Sequence, residues 1–206
     1  MRALLPVALA LLLGACVSTP RREPPAADPA AQRRELQQLQ QFSFDGRLAA
    51  AAGGEGFNAD IGWKQQDARS TVDLRAPLGF GSAKVVSDES GVKFTSSRGE
   101  SLSGSEATAE LTRRLGFAAP ISALRFWVLG VADPARPAVE TFNAEGRLGA
   151  LEQDGWRIEY AEYRDSSGSS AQRNGLVLPR RMTVTREQIR LRLVIHHWIG
   201  TFVRAS

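Results

Sequence analysis

The stretch Gln188–Gly200, QIRLRLVIHHWIG, alternates strictly over its first half: Ile189, Leu191, Leu193 and Ile195 fall on one side, Arg190 and Arg192 on the other. A period of two with one apolar face is the pattern of a β-strand that covers a core with one side and meets water with the other. The same pattern recurs upstream. Trp156, Ile158 and Tyr160 repeat it in WRIEYAEYR, Val72 and Leu74 in RSTVDLR, Ile61 and Trp63 in FNADIGWKQQ, and Phe42, Phe44, Leu48 and Ala50 in the segment before GGEG. Further short runs, SAKVVS, VKFTSS, AVETF, GRLGALEQ and LPRRMTVT, are separated by turns rich in Gly, Asp and Ser. The chain therefore reads as an antiparallel meander of about ten or eleven strands.

Three segments carry the helical period instead. AAQRRELQQLQQ (30–41) is helix-forming, with Leu36 and Leu39 on one side and Phe42 beyond them. SGSE (103–106) reads as a capping box, after which Ala107, Leu111 and Leu115 follow at helical spacing until Gly116 ends the helix. Pro120 opens the third, PISALRFWVLG (120–130). There Ile121, Leu124 and Val128 share a face, but Phe126, Trp127 and Leu129 stand elsewhere around the circumference, and only Ser122 and Arg125 are plainly polar. A helix apolar nearly all round has to be covered on more than one side. In a small domain one side can rest on a sheet while the other lines an apolar cavity.

The first residues, MRALLPVALALLLGACVSTP, set the compartment. Arg2 precedes an apolar run from Ala3 to Leu13 that is too short to span a bilayer stably and suits a signal peptide. The run ends in LGAC, a bacterial lipobox, in which a cysteine already carrying diacylglycerol becomes the new N-terminus. The other reading is simple secretory cleavage after Ala15. Cys16 is the only cysteine of the chain, so no disulfide explains it, and lipidation is the expected fate. Residues 1–15 are then a lipoprotein signal peptide and 16–31, rich in Pro and Ala, a lipidated tether. Residues 32–206 form one domain, long enough for a substantial core. Val17 after the cysteine, rather than Asp, points to the outer membrane.

Little else in the sequence carries chemistry. His196 and His197 are the only histidines, and neighbours in a regular strand point to opposite faces, which precludes joint chelation of one metal. Acylation of Cys16 leaves no thiol ligand. No HExxH, GxSxG, P-loop or GxGxxG stands in a strand-to-helix setting. Glu159 and Glu162 alternate with apolar residues as on a solvated sheet face. A non-enzymatic protein without metal or cofactor is expected. The net charge of +4, with no Lys/Arg block, gives no argument for nucleic acid.

One loop has the wrong polarity for its place. APLGFG (76–81) joins two strands with good turn residues, yet offers Leu78 and Phe80 where a tip would meet water.

Taken in order behind the lipobox, several stretches resemble the LolB family of outer-membrane lipoprotein receptors. They are FSFDGRLA, the Trp63 strand, LRAPLG, PISALRFWVLG before an Asp-Pro loop, LEQDGWRIEYAEY, LPRRMTV and RLRLVIHHWI. The resemblance covers about residues 36 to 200. It implies an incomplete, curved antiparallel β-barrel, LolA/LolB-like, with about three helices filling the concave side and an apolar cavity that holds acyl chains. It implies the periplasmic carrier LolA, acylated lipoprotein cargo and the outer-membrane bilayer as partners of a monomer facing the periplasm. In the PLG position it implies a membrane-insertion residue, Leu78, with Phe80 as helper. The chain departs from the family in having Phe80-Gly81 where more polar residues would be natural, and Phe80 can point out or back into the barrel mouth.

The cavity candidates are Leu48, Ile61, Trp63, Leu74, Leu124, Trp127, Trp156 and Ile195. Alternation says that they face inward; it does not distinguish a void from a filled core. Arg47, beside Gly46 in the opening strand, is a candidate for pairing near the helices and setting how far the cavity opens. The alternative function is a lipid-anchored sensor or scaffold of similar curved-sheet fold that binds lipid or protein without transferring it.

Overall fold

The structure, a computed structural model, describes residues 28–76, 81–165 and 176–204. Cys16, Leu78 and Phe80 lie outside the described residues, as do the signal segment, most of the tether and the connection 166–175.

After the short helix α1 (Pro29–Gln37), β1 (Leu39–Ala52) and β2 (Glu55–Gln66) form a long hairpin about Gly53 and Gly54. The meander continues through β3 (Arg69–Arg75), β4 (Ser82–Asp88), β5 (Gly91–Ser96) and β6 (Ser101–Ser103). Helices α2 (Gly104–Leu115) and α3 (Ile121–Trp127) interrupt it. It resumes with β7 (Val139–Phe142), β8 (Leu148–Gln153), β9 (Trp156–Asp165), β10 (Val177–Arg186) and β11 (Ile189–Arg204). All eleven strands belong to one antiparallel sheet in the order β6-β5-β4-β3-β2-β1-β11-β10-β9-β8-β7. The sheet is open, with β6 and β7 as its edges and the two longest strands from opposite ends of the chain, β1 and β11, paired at its centre.

That central pairing is irregular, and irregularity bends a sheet. Register shifts fall between Leu39 and Gln41, Gln41 and Ser43, and Asp45 and Gly46 of β1. Gly46 is required by the close approach of the strands: a Cβ there would stand 2.3 Å from the Val194 carbonyl oxygen. Opposite the last shift, Gly46 pairs with Ile195 and Asp45 with His197, so His196 is the extra residue of a bulge. Both histidines are exposed, contrary to the opposite faces expected of a regular strand. His197 Nδ1 lies 3.2 Å from an Asp45 carboxylate oxygen.

Two sequence expectations need correction at the helices. Leu39 is not helical: α1 stops at Gln37 and Leu39 already pairs with Arg204, because an LQQ spacing serves a strand end as well as a helix end. SGSE is no capping box: Ser103 holds the N-cap position, but its side chain makes no capping hydrogen bond. At the other end Gly116 terminates α2 as expected, with φ +79° and its N–H donated to the Thr112 carbonyl at 2.8 Å. Left-handed backbone of this kind favours glycine.

One face of the sheet and the helices enclose the core. Phe44, Phe94, Trp127, Leu151, Ile158 and Met182 are among its most buried side chains. The opposite sheet face carries exposed ion pairs such as Arg157 with Glu152 and Glu159.

Candidate functional site

Between the helices and the centre of the sheet lies a cavity of ≈ 90 Å³ lined only by apolar residues. Its floor is the inward face of β1 to β4, β10 and β11, including Leu48 and Ala50, Ile61 and Trp63, Val72 and Leu74, and Leu191 and Leu193. Its roof is Leu111 and Leu115 of α2, with Ile121, Leu124 and the following Val128 from α3. An apolar void forgoes contacts that a filled core would make, here about 2 kcal/mol at 24 cal/mol per Å³. The space holds a handful of water-sized groups, less than one long acyl chain.

Helix α3 shows how a helix apolar on several sides is accommodated. Ile121, Leu124 and Val128 face the cavity, while Ala123 and Trp127, one turn apart on another face, are buried. Trp127 meets Trp156 of β9 at 6.4 Å between ring centroids, and Trp156 meets Phe117 edge-on at 6.0 Å. The Trp127 indole N–H donates to the Gln153 side-chain oxygen at 2.8 Å. That buried amide also accepts from the Asp133 N–H, and its NH₂ donates to the Asp133 and Arg136 carbonyls. Gln153 thus fastens α3 and the loop after it to β8, with every polar atom matched. The Tyr160 hydroxyl donates to the Trp127 carbonyl at 2.8 Å. Burial raises the pKa of that phenol well above its ordinary value and keeps it a donor.

At the Trp63 end the cavity is closed by aromatic rings. Phe44 stacks on Trp63 at 6.0 Å and meets Trp198 edge-on at 5.2 Å. Behind them the Trp63 indole N–H and the Ser70 hydroxyl both donate to the Gln65 side-chain oxygen, and Gln65 donates to the Asp67 carbonyl. Toward the other end, Leu74 and Phe57 lead to Ala76 and Gly81, the two described residues that flank the apolar loop tip.

Of the eight cavity candidates, the structure brings five together on the wall: Leu48, Ile61, Trp63, Leu74 and Leu124. Trp127, Trp156 and Ile195 lie in the filled core instead. The two indoles pack on each other beneath α3, and Ile195 sits where β11 closes on Gly46, beyond the last wall residue of that strand, Leu193. Arg47 also differs from expectation. It is exposed and pairs across strands with Asp60 of β2 at 3.1 Å, on the face away from its neighbour Leu48 and so away from both helices. Gln65 and Gln153, which organise the site from behind, were missed: a glutamine at an inward strand position is the signal, as alternation places both among buried neighbours. Among the described residues no group of three or more His, Cys, Asp or Glu is arranged to hold a metal, and no helix is long and apolar enough to cross a membrane.

The family described as Outer membrane lipoprotein LolB matches residues 40–198. The Outer-membrane lipoprotein LolB of Alkalilimnicola ehrlichii is 33% identical over 92% of this chain and 92% of its own length. That of Nitrosococcus oceani is 32% identical over 91% and 92%. Among solved structures, a LolA superfamily protein from Nitrosomonas europaea aligns with a TM-score of 0.49 at 10% identity, covering 88% of this chain and 96% of that one. With the family matched from β1 to β11 and identity above 30% along nearly the whole length, the chain belongs to the LolB family of outer-membrane lipoproteins.

Proposed function

We propose that this chain is an outer-membrane lipoprotein receptor, anchored through acylated Cys16 and facing the periplasm, which takes acylated lipoproteins from a LolA carrier and inserts them into the outer membrane. The observation that carries the reading is the wholly apolar cavity roofed by α2 and α3 in a chain of this family. The reaction makes no covalent bond and consumes no nucleotide. Acyl chains leave the carrier for this cavity and then leave for the bilayer, and direction requires only that each successive site be more favourable. A greasy wall without charges removes chains from water regardless of the protein attached to them, which suits a receptor for many cargoes. Because the cavity as it stands is smaller than an acyl chain, uptake moves the roof: the cavity-facing residues of α2 and α3 separate from the sheet, while Gln153 holds the far side of α3.

Leu78 serves the last step. A leucine buried in lipid gains about 1.5–3 kcal/mol, enough to orient a tethered domain at the membrane though not to anchor it. The test is to mix the domain, made without its acyl anchor, with a LolA carrier loaded with lipoprotein, and to follow the cargo. Movement to the folded domain is expected, whereas cargo that stays on the carrier would leave the sensor or scaffold reading in place. In the lipidated chain, Leu78→Glu is expected to preserve acceptance and impair release into membranes; equal loss of both steps would remove the loop from the release mechanism.

A further inference from the structure

On the outer face of the sheet, away from the cavity, two neighbouring cations at the centre lack a counter-charge. Other cations of that face have a carboxylate beside them: Arg47 meets Asp60 at 3.1 Å, Lys84 meets Asp73 at 3.5 Å, Arg181 meets Glu162 at 3.8 Å, and Arg157 meets both Glu152 and Glu159. Arg190 and Arg192 of β11 are exposed and make no ion pair among the described residues. Their register explains why. Arg192 stands between Ala49 of β1 and Thr183 of β10, and Arg190 between Ala51 and Thr185, so uncharged residues occupy all four facing positions. One strand further out, beyond Thr183, Glu159 is already held by Arg157 at 3.1 Å. The two arginines leave the backbone about 7 Å apart on one strand face, and their charges repel each other. They guard no edge against aggregation, because β11 is paired on both sides at the centre of the sheet. Beside them Ala49, Ala51 and Gly56 carry little or no side chain and leave a recess of ≈ 260 Å³, which Asn58 also lines.

We propose that Arg190 and Arg192 bind the phosphate of an anionic phospholipid and hold the outer face of β11 against the bilayer. The inference rests on the reading of the chain as a membrane-anchored receptor and adds a docking surface to it. Charge complementarity selects the partner: a bilayer with anionic lipids presents phosphates in a plane, and each arginine near such a surface is drawn to it. A guanidinium offers parallel N–H donors that match two phosphate oxygens, and the recess gives the headgroup room beside them. The anchor brings this surface within range. The chain from Cys16 to Asp28, about 40 Å when extended, is about as long as a domain of this size is wide, so either face of the sheet can turn to the membrane. The tether also makes a weak contact effective by making it intramolecular. With the outer face of β11 down, the cavity roof formed by α2 and α3 on the other side of the sheet faces the periplasm, where a carrier arrives. The contact thus sets a receiving posture and is weak enough to break when cargo moves on.

The experiment uses the full acylated chain in vesicles of phosphatidylcholine mixed with phosphatidylglycerol, with a lipid bearing a nitroxide headgroup as quencher. Cys16 is the only cysteine and its acylated thiol is closed to labelling, so Asn58→Cys, at the recess, or Glu106→Cys, exposed on α2, carries a single fluorophore. The label at 58 is expected to be quenched more strongly than the label at 106. Arg190→Gln combined with Arg192→Gln is expected to lower the contact equilibrium about tenfold to thirtyfold, so that quenching at 58 falls to the level at 106. Leaving out phosphatidylglycerol should do the same, whereas Arg190→Lys with Arg192→Lys, which keeps the charge, should retain most of the quenching. Since neither arginine has a protein carboxylate to lose, the thermal midpoint of the glutamine variant should hold or rise, which separates lost contact from lost folding. Undiminished quenching in the glutamine variant, or equal quenching of both labels in the wild type, would overturn the docking surface. Protection of the label at 58 only after a LolA carrier is added would make the patch a protein site and overturn it too. Cargo transfer from a loaded carrier is followed in the same vesicles: a wild type that docks but takes no cargo would sink the receptor reading and leave the lipid contact standing.

Discussion

Arg47 and Gln153 show how differently two polar side chains can serve one fold. Arg47 pairs with Asp60 in water, and such exposed pairs contribute about 0–1 kcal/mol. Arg47→Ala is therefore expected to shift the thermal midpoint by no more than a few degrees and to leave cargo transfer unchanged; a clear loss of transfer in a stable variant would restore a gating role. Gln153, by contrast, is buried with both ends of its amide engaged, and it decides where Trp127 lies. Gln65 serves the Trp63 indole on the cavity wall in the same way, so a glutamine partner satisfies the N–H in either place; what differs is that Gln153 turns Trp127 toward β8 and Trp156. Bound to Gln153, the Trp127 indole belongs to the core. Residue type alone does not carry that information, which is why Trp127 and Trp156 read from sequence as wall residues as readily as Leu48 or Leu124.

Among the elements, α2 is the part of the roof with an electrostatic latch. Arg113 and Arg114 in its last turn both hold Glu110, and Arg114 reaches Glu100 in the turn before β6 at 2.9 Å. Hydrogen bonds from Arg113 and then Arg114 lower the Glu110 carboxyl from its ordinary 4.5 to about 2. A carboxyl whose folded pKa is depressed contributes stability above its unfolded pKa and loses it as pH falls through the folded value. The window is therefore about pH 4.5 down to about 2. Urea midpoints of the wild type and Glu110→Gln should differ at neutral pH and draw together across that window; a difference undiminished at pH 2 would contradict the latch.

Strand identity was legible where one buried face imposes a period of two; the three-residue β6 carried no such signal and was not read as a strand, and β7, exposed at all four residues, was read from AVETF without a buried face. The bulge at His196 was not legible, since nothing local in IHHW marks the extra residue; it arises where β11 crosses Gly46 of β1, a contact distant in sequence. The three helices were legible in kind and less so in their ends. Leu39 satisfies both periods, and its pairing with Arg204 settles the matter in favour of the strand.

For the molecule as a whole, the account turns on one space. Five of the eight residues singled out from sequence meet around it, together with Phe44, Ala50 and Met182, which alternation marks as inward without marking as wall. Sequence shows which side chains turn inward but not whether they touch each other, because contact depends on how far the helices stand off the sheet. Ala50 lies on the cavity wall in β1, buried and opposite Leu191. Replacing it with isoleucine extends a β-branched side chain into the void, so the strand is preserved while the space is filled. Part of the roughly 2 kcal/mol forgone by the void is recovered, and the thermal midpoint should hold or rise by a few degrees. The most direct measurement compares transfer of a labelled lipoprotein from a loaded LolA carrier to wild type and to Ala50→Ile. The wild type is expected to deplete the carrier, and the stable, filled variant to leave the cargo where it was. Cargo uptake by Ala50→Ile at the wild-type rate and extent would mean that the acyl chains are held somewhere other than this cavity.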